Sequence, residues 1–144
     1  MSERHKSVAA AYIIFEKEGK YLLLRRQNTE AHNGLFSLPA GHVDSGESIV
    51  LSAVREAKEE VGVDVQPEDL TLVHTLDRNA PDFHRLDFFF HCTKWVGEVA
   101  NCEPEKCSEL AWIPKEEVAN EIADYLKPVF HAIEERGTYT SQGW

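Results

Sequence analysis

Residues 41–63 read GHVDSGESIVLSAVREAKEEVGV, and this stretch decides how the rest of the chain is read. Gly41 to Gly46 carries two glycines and reads as a loop. Ser48 is suited to cap a helix, because its hydroxyl can accept a first-turn N–H that has no helical partner. The spacing predicts a helix over Ile49 to Val61, with Val50, Ala53, Val54, Ala57 and Val61 on one apolar face. Gly62 stands where helices commonly end. Within the helix, Glu56, Glu59 and Glu60 fall at i, i+3 and i+4, so three carboxylates share one stripe with Cβ atoms about 5–6 Å apart. That stripe is expected to face away from the apolar face, with Lys58 pointing elsewhere. Like charges at this spacing cost a few tenths of a kcal/mol per pair when exposed, and more when partly buried. A solvated acidic helix face is the common explanation of such a cluster. A bound hard cation is the other, and all-oxygen ligands select Mg²⁺ first and Mn²⁺ second.

Before this segment, Ser7 to Phe15 and Tyr21 to Leu24 are short apolar runs split by Lys17-Glu18-Gly19-Lys20, the pattern of two strands and a turn. Asn28 to Gly34 is polar and ends in Asn-Gly, a turn signal, and Leu35 to Ala40 is a short apolar piece broken by Pro39. After it, strands are expected at Leu70 to Leu76, Leu86 to Thr93 and Leu110 to Ile113, with Arg78 to Phe83 as a loop. Glu116 to Glu135 has Val118, Ile122, Leu126, Phe130 and Ile133 at helical spacing, and Pro128 is expected to break or kink that helix. Strands and helices are mixed, so the class is α/β (α+β), a mixed sheet with helices on both faces, and one domain over residues 1–144.

The net charge of −10 opposes long-range attraction to DNA, RNA and anionic membranes, so no polymeric nucleic acid or membrane partner is expected. No run approaches the roughly 20 apolar residues of a membrane span, and the polar start Met1 to Lys6 has no signal-peptide core behind it. A cytoplasmic protein is expected. Cys92, Cys102 and Cys107 are odd in number and suggest no disulfide framework. Cys102 and Cys107 have loose zinc spacing, and His84 and His91 could complete a set, but reduced thiols are the favoured reading.

The order Gly41, five residues, Glu47, seven residues, Arg55-Glu56, Ala57, Lys58, Glu59-Glu60, Val61, Gly62, Val63 resembles the Nudix box at every fixed position. Ala57 is small where a bulkier aliphatic residue is usual, and Leu38-Pro39-Ala40 resembles the family's lead-in. The resemblance implies a Nudix α/β/α sandwich with the box forming loop, helix and loop. It implies Mg²⁺, or Mn²⁺, held by Glu56, Glu59, Glu60 and the carbonyl of Gly41. Glu47 and Arg55 would be structural and electrostatic, with Arg55 orienting a glutamate for catalysis, and Gly62 would end the helix. Glu103 is the candidate for a further acidic ligand from a late loop, with Glu105 and Glu98 behind it.

The implied reaction is Mg²⁺-dependent hydrolysis of a pyrophosphate bond in a small nucleotide, with Glu56 or a glutamate outside the box as base. A nucleoside triphosphate or an oxidised form, cut to monophosphate and pyrophosphate, leads as substrate. ADP-ribose or a nucleotide sugar is the alternative, and Pro81 lies near that branch's marker proline at an offset that does not fit. A non-catalytic nucleotide sensor is the alternative of another class. Arg26 resembles a base-side arginine of the MutT-type branch, Arg25 is its neighbour, and Leu38 occupies a base-pocket position in such relatives. Phe36, Phe88 and Trp95 are candidates for stacking, although aromatics at strand spacing are more often core. His42 could donate to phosphate, and His84 lies in a loop that could form a lid. A monomer or homodimer is expected, and Tyr139 to Trp144 is given no role beyond an apolar cover, a dimer contact or a frayed end.

Overall fold

The computed structural model describes residues 4–29 and 32–144. Parts of the expected polar start and of the Asn28 to Gly34 turn, namely residues 1–3, 30 and 31, lie outside the described residues. Strand β1 (Ser7–Lys17) alternates strictly in what it buries. Ala10, Tyr12 and Ile14 join one core cluster, while Ala11, Ile13 and Phe15 join another. Successive strand residues point to opposite faces, so a strand apolar on both sides must lie in the middle of a sheet covered twice.

The hairpin to β2 (Lys20–Arg26) pairs with β1 only at Glu16↔Tyr21 and Lys17↔Lys20, and the two strands then part. On its own branch β2 pairs with β3 (Phe36–Ser37) and with β7 (Cys107–Pro114). The β1 branch takes β4 (Ala40–His42) on the side β2 has left, and β6 (His84–Cys92) in parallel on the other. Beyond β6 come β5 (Thr71–Asn79) and β8 (Tyr139–Gln142). The fork between β1 and β2 opens the cleft described below.

Helix α1 (Ile49–Val61) covers one face, placing Ala53, Ala57 and Val61 on Ile13, Phe15 and Leu22. Burying each large side chain of that set contributes roughly 1.5–3 kcal/mol. The other face is covered by the short α2 (Val118–Glu121) and α3 (Lys127–Glu134), whose Val118, Val129 and Phe130 pack on Tyr12, Leu23 and Phe89. The expected long helix over Glu116 to Glu135 is thus divided by a 3-10 turn at Asp124–Leu126. The expected break falls just ahead of Pro128. That proline sits in the first turn of α3, where its missing N–H costs no helical bond.

Two other expectations change. Gly41 belongs to β4 and not to a loop, and Arg78 and Asn79 extend β5 where a loop was expected. The C-terminal stretch becomes β8, held by His74, which is buried between the carbonyl of Gly137 (Nδ1, 2.9 Å) and the hydroxyl of Thr140 (Nε2, 2.8 Å). A carbonyl only accepts, so Nδ1 carries the proton there. Trp144 is 69% exposed and donates from Nε1 to the Asp77 carbonyl at 3.4 Å. Cys92 and Cys107 are buried free thiols, and Cys102 is exposed. Among the described residues no helix is long and apolar enough to cross a membrane.

Candidate active site

Helix α1 begins and ends as its sequence requires. The Ser48 hydroxyl accepts the Leu51 N–H at 3.2 Å, and Gly62 adopts φ +76°, a left-handed conformation that glycine takes without Cβ strain. The carboxylate stripe does not face away from the core. Glu56 is only 7% exposed and shares the buried side with Ser52, Ala53 and Ala57, whereas Glu59 is in solvent. Gly41 explains how Glu56 fits. A Cβ at residue 41 would collide with the Glu56 carboxylate, so that carboxylate can take this place only beside glycine.

Arg55 binds the box together. Its Nη2 and Nε hold the two oxygens of Glu47 at 2.8 and 3.2 Å, a forked pair. Nη1 donates to Glu56 at 2.9 Å and to Glu59 at 3.1 Å, and Nη2 also reaches the His42 carbonyl at 3.0 Å. The Arg55 bonds and the Asp44 N–H hold the Glu47 carboxyl down at about 2. Lys58 is turned to Asp64 instead, at 3.3 Å.

Glu60 accepts the Ala40 N–H at 2.7 Å. Burial, with the neighbouring charges of Glu56 and Glu103, pushes its carboxyl well above the usual range. Burial also raises Glu56, to about 7, with Glu59 and Glu103 adding to the effect and Arg55 opposing it. Arg55, shared among three glutamates, and Arg26 do not offset the charge gathered here, and a cation would. Among the described residues no three acidic, imidazole or thiol groups converge on one point. The donor set of Glu56, Glu59, Glu60, Glu103 and the Gly41 carbonyl is nonetheless all oxygen and fits Mg²⁺ in chemistry.

These residues form one wall of a cleft of about 1030 Å³. Glu103 lines it, while Glu98 and Glu105 are exposed and stand outside its lining. Arg26 lines it with a buried Nε that has no hydrogen-bond partner. Arg25 does not contribute. Adjacent strand residues point oppositely, and Arg25 is spent on Glu109 (2.7 Å), the Gly34 carbonyl (3.1 Å) and the face of Phe36. Leu38 is 1% exposed in the core and does not line the cleft. Phe36 is likewise core, Phe88 packs on the α1 side, and Trp95 stacks on Trp112.

His42 lines the cleft, its ring 3.3 Å from Arg85. His84 begins β6 and bonds Asp77 at 2.6 Å, so it is a strand residue and not part of a lid. Sequence reading missed Tyr12, Arg78, Arg85 and Tyr125, all of which line the cleft. Arg78 and Arg85, charges flanking strand-like runs, carried the one advance signal, and Tyr12 and Tyr125 carried none. A smaller hollow of about 370 Å³, walled by Tyr21, Lys115, Glu116, Phe130, Ile133 and Glu134, holds no box residue.

With the box helix, its glutamates and the cleft in place, comparison with known families is decisive. The NUDIX domain family model matches residues 4–133. This chain belongs to the NUDIX family. Within it, the chain is 34% identical to the ADP-ribose pyrophosphatase of Methanocaldococcus jannaschii over 128 residues, 85% of this chain and 75% of that protein. It is 29% identical to the 8-oxo-dGTP diphosphatase of Proteus vulgaris over 99 residues, 69% of this chain and 87% of that one. The crystal structure of a MutT protein from Methanosarcina mazei Go1 superposes with a TM-score of 0.79 at 22% identity, covering 93% of this chain and 97% of that one. That last likeness is one of NUDIX fold alone.

Proposed function

We propose that this chain hydrolyses a pyrophosphate bond in a small nucleoside-diphosphate-linked molecule with Mg²⁺, and that the substrate is a nucleoside triphosphate, standard or oxidised, cut to monophosphate and pyrophosphate. The observation that carries this reading is the gathering of Glu56, Glu59, Glu60 and Glu103 on one wall of a cleft that also presents Arg26, Arg85 and Lys106. The carboxylates suit a cation, and the basic residues suit the anionic remainder of the substrate. Mn²⁺ would serve the same oxygen set.

Glu56, Glu59, Glu60, Glu103 and the Gly41 carbonyl would hold the cation. Bound there, it would offset the charge on the diphosphate and make water easier to ionise. Glu56, beside the cation and fixed by Arg55, is the group suited to accept the proton of the attacking water. Arg55 fixes Glu56 and Glu59 from behind, and Glu47 in turn fixes Arg55. Arg26 lies between the two ends of the cleft: its charge bears on Glu60 and also on His32.

ADP-ribose or a nucleotide sugar is the second reading, favoured by the 34% identity to the archaeal ADP-ribose pyrophosphatase. A hydrolysis screen with Mg²⁺ tests both, comparing the unaltered protein with Glu59→Gln. It covers the common nucleoside triphosphates, an oxidised dGTP, ADP-ribose and several sugar nucleotides, with identification of products. Turnover of a triphosphate to monophosphate, lost in the variant, supports the first reading. Turnover of ADP-ribose alone replaces it with the second. Silence across the panel from a folded, Mg²⁺-binding protein overturns both in favour of a nucleotide sensor.

A further inference from the structure

Arg78 stands in the cleft on the opposite covering face of the sheet from α1, and its setting is built with unusual care. Its Nε donates to Asp87 Oδ2 at 2.7 Å, with side-chain exposures of 19% for Arg78 and 1% for Asp87. The second oxygen of Asp87 is buried and without a partner. Burying an ion pair with an orphaned acceptor gains little for stability, since desolvation cancels most of the attraction. What it does achieve is to fix the guanidinium. The Arg78 Cζ also lies over the ring of Tyr125, 4.5 Å from its centroid. Tyr125 is itself pinned, its hydroxyl bonded to that of Tyr12 at 2.9 Å and its carbonyl accepting from Gln142 at 2.7 Å. Tyr12 stacks in turn on Phe89. The Arg78 Nη groups hydrogen-bond to nothing among the described residues.

We propose that Arg78, held by Asp87 and Tyr125, is the specificity-determining residue of the cleft and reads the acceptor edge of a 6-oxopurine base, guanine or hypoxanthine. This deepens the nucleotide reading of the same cleft and rests on it. Three observations favour a base over a second phosphate. Asp87 already neutralises the Arg78 charge, which weakens its pull on an anion. The surroundings are aromatic, with Tyr12, Tyr125 and the ring of His32 stacked 4.9 Å from that of Tyr125. His32 is exposed, so a planar base can take its place against Tyr125 without unmaking the core. A fixed guanidinium offers only donors, in a planar fork. The purine edge that answers it with two adjacent acceptors is O6 and N7 of guanine or hypoxanthine. Adenine places an N6 amino donor where O6 would be.

The test is steady-state kinetics with GTP, ITP, ATP and 7-deaza-GTP, which lacks the N7 acceptor, on the unaltered protein and on Arg78→Met and Arg78→Lys. The unaltered protein is expected to favour GTP and ITP over ATP, and to lose on the order of 10-fold in kcat/KM with 7-deaza-GTP, mainly through KM. Arg78→Met is expected to lose 10- to 100-fold on GTP and little on ATP, with GTP and 7-deaza-GTP becoming equal. Lysine should not restore the preference, because it lacks the fork. Equal use of GTP and 7-deaza-GTP by the unaltered protein, which needs no variant to fold, overturns the inference, as does an Arg78→Met loss equal on all bases. If no nucleotide is cut and neither GMP nor AMP shifts the melting temperature, the nucleotide reading itself has failed instead.

Discussion

At one end of the cleft, Glu56, Glu59 and Glu60 come from little more than one turn of α1, with Gly41 and Glu47 from the segment just before it. At the other end, Tyr12, Arg78, Asp87 and Tyr125 come from β1, β5, β6 and the 3-10 turn before α3. The first end is local, and its chemistry follows from helical spacing. The second exists only after the sheet has formed, because Arg78 and Asp87 meet across the β5–β6 ladder and Tyr125 reaches them from the covering layer. Both ends hold a buried carboxylate, yet the two are treated oppositely. Asp87 is matched by Arg78 one to one, whereas Glu56 shares Arg55 with Glu47 and Glu59 and has Glu60 and Glu103 nearby. A paired acid fixes its partner. An acid in surplus invites a cation.

Four changes would break or sharpen that contrast. The largest effect is expected for Glu56→Gln, which removes the surplus charge and the base together. kcat should fall on the order of 10²- to 10⁴-fold, with the circular dichroism spectrum and melting temperature kept. Arg55→Ala should come next. It strands Glu47, Glu56 and Glu59 and should cost about 2 kcal/mol by chemical denaturation as well as most of the activity. Arg55→Lys should not rescue it, since an ammonium cannot make the forked bond to Glu47.

Gly41→Ala should be milder. Its Cβ displaces the flexible end of Glu56 and leaves the strand in place, so activity should drop roughly tenfold with a melting temperature within a few degrees. The smallest effect concerns Asp77, whose carboxyl is held below its ordinary value by hydrogen bonds from Tyr139 and His84. A lowered folded value means stability present above pH 3.8 and lost as pH falls through the folded value. Tyr139→Phe should therefore narrow the acid loss of stability, measured as melting temperature between about pH 5 and 2, and leave catalysis untouched.

The same contrast explains what was legible in the sequence. The bounds of α1, its Ser48 and Gly62 caps and its glutamate spacing could be read directly, because each depends on residues a turn or less apart. So could the strand over Ser7 to Phe15. The facing of the stripe was misjudged, because only the pairing of Gly41 with Ala11 brings the strand against Glu56. Arg25 and Arg26 were indistinguishable until the strand's alternation, and the register shift between them, assigned one to Glu109 and the other to the cleft. β8 was invisible, since its four residues are polar or half-exposed and it owes its place to parallel pairing with β5 and to His74.

The most direct test of the account is ³¹P NMR of the reaction of the unaltered protein with GTP and Mg²⁺. The account predicts signals of GMP and pyrophosphate growing together, and none after chelation of the metal. GDP with orthophosphate, or the same turnover without a divalent cation, would contradict it.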